Sequence, residues 1–308
     1  MKVIYGLGAT RFAKTAVAIG IFDGVHRGHQ LLIRTMVAEA KRLKAKSLIV
    51  TFFPHPAHVL RPDIKLPYLM SLDQRLGMFK QLGVDAVAVI PFNRSFAHIN
   101  PVTFIEKTLV GQLGARAIVV GEDFRFGKDR SGDILLFKKL AVKLGYRMHA
   151  IKAVKQAGAP ISSSRLRRLI SEGHLVQAEK LLGRAFAVSG EVVKGDGRGR
   201  QLGYPTANVK YSAEVLPPLG VYAVRVQLGK TSFQGMANLG IRPSFKSENS
   251  AALLEVNIFN FRRKIYGRSL TVEFVAKIRD EQKFPSKEAL IAQIAKDEIR
   301  VRRLLQVE

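Results

Sequence analysis

The chain has 308 residues, 47% of them hydrophobic and 24% charged, which is typical of a folded protein of two domains and excludes a wholly disordered chain. Cysteine is absent, which excludes disulfides, thiolate metal sites and a catalytic thiol. Fifty Lys and Arg residues against 24 Asp and Glu residues leave a net charge of +26, which attracts polyanions such as nucleotides and nucleic acids.

The N-terminal half alternates β-rich runs with helical patterns. The β-rich runs predict buried strands over 16–22, 47–53, 85–92, 115–121 and 147–151. Between them we predict a helix over 30–43, a second that begins with a capping box at Ser71 and Gln74, and a third that begins at Asn100. Strands that alternate with helices need right-handed crossovers, so we predict an α/β doubly wound parallel sheet with its ligands at the carboxyl ends of the strands.

After residue 183 the pattern changes to short alternating runs separated by Gly and Pro. These runs predict a small antiparallel β-barrel or sandwich with strands over 187–193, 220–227, 233–239, 253–259 and 270–278. Ser286 predicts the N-cap of a closing helix that extends to residue 305 and offers four apolar residues for packing, namely Leu290, Ile294, Ile299 and Leu304. We therefore divide the chain into domains 1–184 and 185–308.

Two histidines lie in the turn between the first predicted strand and its helix. A helix start offers free N–H groups and a partial positive charge, and Gly28 lets the backbone approach a ligand closely. The imidazoles of His26 and His29 are candidate catalytic groups because an imidazole can donate a hydrogen bond to a phosphoryl oxygen. A zinc pair or two solvent-facing histidines are the alternatives, and this run alone leaves them open.

A second run, over 161–168, follows the last strand of this half and is rich in hydroxyl and guanidinium groups. Ser163, Ser164 and Arg167 suit a bound triphosphate, although an N-cap cluster and a solvated basic face are the alternatives. The two runs together resemble the His-x-Gly-His and Ile-Ser-Ser-Thr-x-Ile-Arg signatures of nucleotidylyltransferases. The longer run 22–29 resembles the FMN adenylyltransferase branch, which implies nucleotide-binding roles for Asp23 and Gly24 as well.

The resemblance continues through segments 51–56 and 121–127, which in this family line the cleft. It implies that these segments contribute flavin-binding residues, namely Pro54, His55, Asp123, Phe124 and Phe126. Core packing is the alternative for the two phenylalanines. The reaction implied is attack of an FMN phosphate oxygen on the α-phosphorus of ATP, with release of pyrophosphate and with Mg²⁺ bridging the phosphates.

A glycine-rich loop leads into an extended polar segment over 195–208. Pro205 biases the preceding residue to an extended conformation, so Thr206 and Asn208 point the same way and offer oxygen ligands to Mg²⁺. A turn without a catalytic role is the alternative. The segment resembles the GxPTAN region of riboflavin kinase, and further matches lie at 216–222, 238–243, 266–267 and 279–284. The resemblance implies a nucleotide-binding flap formed by Gly195, Gly197, Gly199 and Arg200. It also implies that Arg279 contacts the flavin.

Glu255 and Asn257 share one face of a predicted strand because side chains alternate along a strand. Glu255 is the candidate catalytic base for attack of a ribityl hydroxyl on the γ-phosphate of ATP, and the resemblance implies that Asn257 contacts the flavin. A solvated strand carboxylate is the alternative for Glu255.

Together the motifs resemble the bifunctional riboflavin kinase/FMN adenylyltransferase family over essentially the full chain. This implies that 185–308 phosphorylates riboflavin and 1–184 makes FAD from FMN, both with ATP and Mg²⁺. A nucleotidylyltransferase of other specificity and a basic RNA- or flavin-binding protein with degenerate sites are the alternatives. We expect no specific nucleic-acid partner. We find no signal peptide and no apolar run of roughly 18 residues, so we expect a cytoplasmic protein without a membrane partner.

Overall fold

The computed structural model describes residues 1–64, 66–195, 197–211, 213–241 and 252–306. Within these ranges the chain forms two compact units, Met1–Ser163 and Ser164–Glu308. Asp196 in the glycine-rich loop, and Arg242 and Pro243 in the matched segment 238–243, lie outside the described residues.

The first unit contains a six-stranded parallel sheet in the order β1-β4-β3-β2-β5-β6. Its strands are β1 (Lys2–Tyr5), β2 (Thr15–Ile19), β3 (Lys46–Phe53), β4 (Ala86–Pro91), β5 (Ala115–Gly121) and β6 (Arg147–Ile151). A small hairpin follows, made of β7 (Lys155–Gln156) and β8 (Ala159–Pro160). Strand order reverses at β2, since β3 lies on one side of it and β5 on the other, and in such sheets ligands bind at this point.

Helices cover both faces of the sheet. They are α1 (Arg27–Arg42), α2 (Pro56–Leu60), α3 (Leu72–Gln81), α4 (Arg94–Ala97), α5 (Pro101–Thr103) and α6 (Ile134–Leu144), with a π-helix over Phe104–Gln112 and a 3-10 turn at Lys128–Arg130. Alternate residues of the strands pack on α1 and α3 on one face, and on the π-helix and α6 on the other. Every residue of β2 is buried, as expected for a parallel strand with helices on both sides. The predicted doubly wound sheet is confirmed.

The predicted helix starts at Ser71 and Asn100 are also confirmed, whereas the helix predicted over 30–43 begins earlier, at Arg27, because His26 caps it. The Ser71 side chain accepts from the backbone of Gln74, and the Gln74 side chain accepts from the backbone of Ser71, which completes the capping box. Asn100 caps α5, and Leu32, Met36 and Ala40 are buried on α1. The edge strand β1 is absent from the sequence prediction because only its middle residues are partly buried.

The second unit begins with α7 (Ser163–Ser171) and α8 (Leu175–Leu182) and continues into a closed antiparallel barrel in the order β10-β13-β12-β11-β14-β9. The barrel strands are β9 (Phe186–Val193), β10 (Ala207–Tyr211), β11 (Gly220–Leu228), β12 (Thr231–Ile241), β13 (Ala252–Ile258) and β14 (Ser269–Arg279), with the short α9 (Arg198–Gln201) and the closing α10 (Lys287–Gln306). The predicted small antiparallel barrel with a C-terminal helix is confirmed. The polar segment that follows Thr206 forms its sixth strand, β10.

Helix α10 packs on the outer face of the barrel, where Val301 and Leu305 contact Val221 and Met236. The N-cap prediction is confirmed, since the Ser286 hydroxyl accepts from the Ala289 backbone N–H at 3.2 Å. The predicted packing residues of this helix are corrected in part. Two residues that were expected to pack are exposed, namely Ile299 (62%) and Leu304 (40%). The buried face of the helix instead contains Asp297, Val301 and Leu305.

Candidate active sites

A cavity of about 410 Å³ opens in the first unit at the carboxyl ends of β2, β5 and β6. It lies where the strand order reverses. Most of the predicted residues of this half line it, namely Asp23, His26, Gly28, His29, His55, Asp123, Phe124 and Ser163. The structure therefore brings together segments that are far apart in sequence but follow neighbouring strands of one sheet.

The two histidines form one stacked unit at the start of α1. Nδ1 of His26 accepts from the backbone N–H of His29 at 3.3 Å, and the two rings stack at 3.6 Å between centroids. In this arrangement a neutral His26 carries its ring proton on Nε2. A Cβ on Gly28 would lie 3.2 Å from atoms of the His26 ring, so this close approach favours glycine.

His29 is held in its neutral form. Burial lowers the pKa of His29 well below 6.5, and the nearby cationic forms of His26 and Arg75 lower it further. At neutral pH the imidazole therefore acts as a hydrogen-bonding group rather than as a cation.

The turn between β2 and α1 has an unusual backbone. Phe22 and Val25 adopt φ angles of 56° and 39°, where a non-glycine residue is strained, and Gly24 adopts 82°. The carboxylate of Asp23 accepts from the Leu69 backbone N–H at 3.1 and 3.2 Å, and the Ser163 hydroxyl donates to the Asp23 carbonyl at 2.9 Å. These contacts hold the strained turn in one conformation.

The predicted flavin-binding residues of this unit separate into two groups. His55, Asp123 and Phe124 line the cavity. Pro54 lies outside its lining, and Phe126 packs in the core, 4.7 Å from Phe137 between ring centroids. Flavin binding by all five remains a prediction.

Ser164 and Arg167 belong to α7, in the second compact unit. Their predicted roles in phosphate binding stay predictions. Gly24 forms the turn of the first unit without lining its cavity.

A second cavity, of about 660 Å³, lies on the outer face of the barrel beside α10. It is lined by most of the residues predicted for this half, namely Gly195, Gly199, Thr206, Asn208, Glu255, Asn257 and Arg279. Gly197 and Arg200 lie in the same glycine-rich loop, joined by a hydrogen bond from the Arg200 backbone to the Gly197 carbonyl, but outside the cavity lining.

One row of cross-strand pairs runs around the barrel through this cavity. Glu255 on β13 pairs with Asn208 on β10 and with Asn238 on β12. Directly opposed residues project from the same face of a sheet. The row continues on both sides, so that its members in order are Val193, Asn208, Glu255, Asn238, Val221 and Arg279, and all six line the cavity. The only carboxylate of this row is therefore flanked by two amides.

The glycine-rich loop lies directly on the polar strand that follows it. A Cβ on Gly195 would overlap the Asn208 side chain, and one on Gly199 would lie 3.0 Å from the Thr206 hydroxyl oxygen. Nδ2 of Asn257 donates to the Pro205 carbonyl at 2.8 Å, which fixes the start of β10. Glycine is required here because the loop backbone approaches two side chains closely.

Arg279 is held by a buried carboxylate that the sequence analysis did not identify. Its Nε donates to Asp297 at 2.7 Å, and Gln293 donates to the other oxygen of Asp297 at 2.8 Å. The guanidinium carbon lies 5.5 Å from the centroid of the Phe284 ring. A charged residue on the apolar stripe of α10 was the sequence signal for Asp297. Asn238 begins the matched segment 238–243, but only the strand register places it beside Glu255.

Across the described part of the chain, no group of three or more His, Asp or Glu side chains could hold a metal ion. Within the same ranges, no helix is both long and apolar enough to cross a membrane.

Two family models match the chain in sequence order. The FAD synthetase family matches residues 9–165 and the riboflavin kinase family matches residues 182–305. Each matched range contains one of the two cavities.

Curated relatives match along nearly the whole chain. The bifunctional riboflavin kinase/FMN adenylyltransferase of Escherichia coli K12 is 39% identical and covers 98% of this chain and 97% of its own. The protein of the same name from Bacillus subtilis is 36% identical over 92% of this chain and 90% of its own. A crystal structure from Streptococcus pneumoniae, described as a macrolide-efflux protein, has the same fold, with a TM-score of 0.86, 31% identity, and coverage of 98% of this chain and 99% of that chain.

Proposed function

The chain belongs to the bifunctional riboflavin kinase/FMN adenylyltransferase family, and we propose that its barrel cavity performs the first reaction and its sheet cavity the second. It phosphorylates riboflavin to FMN with ATP and then adenylylates FMN to FAD with release of pyrophosphate. The assignment of the cavities rests on one observation. The residue range of each family match contains all the lining residues of one cavity. We place the functional boundary near residue 184, just before β9 begins the barrel.

In the barrel cavity Glu255 is the proposed catalytic base. The ribityl hydroxyl of riboflavin attacks the γ-phosphorus of ATP, an O–P bond forms, the bond to the β-phosphate oxygen breaks, and ADP leaves. The hydroxyl proton passes to the Glu255 carboxylate. The flanking amides of Asn208 and Asn238 orient the reacting groups, and Asn257 and Arg279 are the proposed contacts to the flavin.

The residues of this cavity fit a magnesium ion bound together with ATP. Thr206 and Asn208 offer neutral oxygen ligands, and Mg²⁺ typically takes few protein ligands while phosphates and water complete its shell. Gly195 and Gly199 leave room beside these two side chains that a Cβ would fill. Bound there, Mg²⁺ would neutralise phosphate charge.

Gly197 and Arg200 are proposed to close the loop over the nucleotide.

In the sheet cavity the reaction needs no protein nucleophile. An anionic oxygen of the FMN phosphate attacks the α-phosphorus of ATP, an O–P bond forms, and pyrophosphate leaves with the electrons of the broken bond. His26 and His29 donate hydrogen bonds to phosphoryl oxygens at the start of α1, where backbone N–H groups also favour negative charge. Catalysis therefore rests on alignment and charge stabilisation.

The remaining assignments of the first site follow from the family. Nucleotide-binding roles are proposed for Asp23, Gly24, Gly28, Ser163, Ser164 and Arg167, and flavin-binding roles for Pro54, His55, Asp123, Phe124 and Phe126. We also propose that the enzyme acts in the cytoplasm, because both reactions consume ATP.

The experiment that tests this function is a time course with purified protein, riboflavin, ATP and Mg²⁺. FMN should accumulate first and FAD should follow, with ADP and pyrophosphate as the co-products. Formation of neither flavin nucleotide would refute the proposal. A different nucleotide product would favour another nucleotidylyltransferase specificity.

A further inference from the structure

Arg75 on α3 is completely buried, although no part of the mechanism above uses it. Its Nη1 donates to the Ile21 carbonyl at 2.8 Å. Among the described residues, its Nε and Nη2 have no hydrogen-bond partner. A buried guanidinium with unsatisfied donors is unfavourable for stability, so its presence calls for a functional explanation.

The carbonyl that Arg75 binds begins the strained turn of the adenylylation cavity. The hydroxyl of Thr51, on β3, donates to the same Ile21 oxygen at 3.2 Å. Two donors from different elements therefore fix this oxygen, and Ile21 itself lines the cavity. The next residue, Phe22, already has a φ of 56°, so the turn needs external contacts to hold its conformation.

Arg75 also brings a positive charge to the buried histidine. It is one of the groups that lower the pKa of His29, after burial and His26. Burial lowers the pKa of Arg75 itself, and the nearby Asp23 and Tyr68 oppose this shift. The Tyr68 ring centroid lies 5.8 Å from the guanidinium carbon. The other titratable groups that line this cavity are His55, Asp123 and Lys152, which follow β3, β5 and β6.

We propose that Arg75 is a positioning residue of FMN adenylylation, which fixes the Ile21 carbonyl and thereby the turn that carries Asp23 and His26, and which keeps a fixed positive charge beside His29. The inference rests on the function proposed above. Arg75 touches neither substrate in this account and acts through the turn and the histidine.

Arg75→Met removes the donors and the charge, and Arg75→Lys keeps the charge but loses the planar guanidinium. With supplied FMN, kcat/KM for FAD formation should fall by at least about tenfold in Arg75→Met, as expected when a turn misplaces reacting groups. Arg75→Lys should recover part of this loss. Riboflavin phosphorylation by the same preparation should stay within twofold of the parent. Arg94→Met, at an exposed arginine on α4, is the matched control and should leave both activities unchanged.

The pH profile separates this role from a purely structural one. Without the neighbouring cation the pKa of His29 rises, so the acid limb of FAD formation should move to higher pH in Arg75→Met. It should stay in place in Arg75→Lys and in Thr51→Val, which removes only the second donor to Ile21.

A folded Arg75→Met protein with parent kcat/KM and an unmoved acid limb would overturn the proposal. If Arg75→Met fails to fold, as judged by proteolysis of its first unit, Arg75→Lys decides in its place. We then expect a several-fold loss of FAD formation, and parent kinetics would overturn the proposal. Absence of FAD formation by the parent protein would instead refute the proposed function itself.

Discussion

Glu255 on β13 lies directly opposite Asn208 on β10. Directly opposed residues of antiparallel strands have Cβ atoms roughly 4.5–5.5 Å apart and project from one face. The proposed base and a proposed magnesium ligand are therefore neighbours, and one change in the strand can move both. We therefore expect the glycine-rich loop, which packs on Asn208, to affect the proposed chemistry at Glu255.

Gly195→Ala should impair the kinase reaction alone. The added Cβ would overlap the Asn208 side chain and displace it. We expect riboflavin phosphorylation to fall by at least about tenfold, because small displacements of reacting groups are costly. FAD formation from supplied FMN should be unchanged. Gly77→Ala, where the structure leaves open space on α3, is the control, and parent kinase kinetics in Gly195→Ala would contradict the packing argument.

Asp297→Asn should lower the stability of the barrel unit and weaken its binding of riboflavin. The substitution removes the charge that holds the mostly buried Arg279. We expect the free energy of unfolding to fall by about 1–3 kcal/mol, measured by urea denaturation, and KM for riboflavin to rise more than kcat falls. Glu298→Gln removes a more exposed ion pair on the same helix and should cost at most about 0.5 kcal/mol. Equal effects of the two variants would show that Asp297 has no special role.

The buried His29 should make the first unit less stable in mild acid. Its pKa lies well below 6.5 in the folded protein, whereas in the unfolded chain it returns to about 6.5. Between these two values the unfolded chain binds more protons, so the free energy of unfolding falls as the pH drops below 6.5. Urea midpoints at neutral pH and in mild acid measure this fall.

His29→Asn should flatten that dependence on pH, because asparagine does not titrate. His98→Asn, at an exposed histidine, serves as the control. An identical pH dependence in the parent and in His29→Asn would show that this histidine does not carry the effect.

Periodicity was sufficient to predict most of the architecture. Strands such as β2 and β5 are continuous apolar runs because helices cover both faces of the sheet. Edge strand β1 gave a weaker pattern because it is only partly buried. In α10, apolar residues occur on several faces, so the sequence did not determine which stripe packs, and the structure buries Val301 and Leu305 rather than Ile299 and Leu304.

The site residues also fall into those that local sequence predicts and those whose positions depend on the fold. Motifs predicted roles for Glu255 and His26 because their residue types and spacing match a known chemistry. The sequence did not predict that Asn238 lies beside Glu255 or that Arg75 is buried under the turn, because these positions depend on strand register and on burial by distant segments. Such relationships arise only when the chain is folded.

The central claim is that the two reactions occur at separate sites, and one paired assay tests it most directly. Glu255→Gln and the double variant His26→Ala/His29→Ala are each supplied with riboflavin and, separately, with FMN, and Glu191→Gln at an exposed strand carboxylate is the control. We predict that Glu255→Gln loses riboflavin phosphorylation by roughly a hundredfold or more yet adenylylates FMN at near the parent rate, and that the histidine variant shows the reverse. Equal loss of both activities in either folded variant would contradict the account.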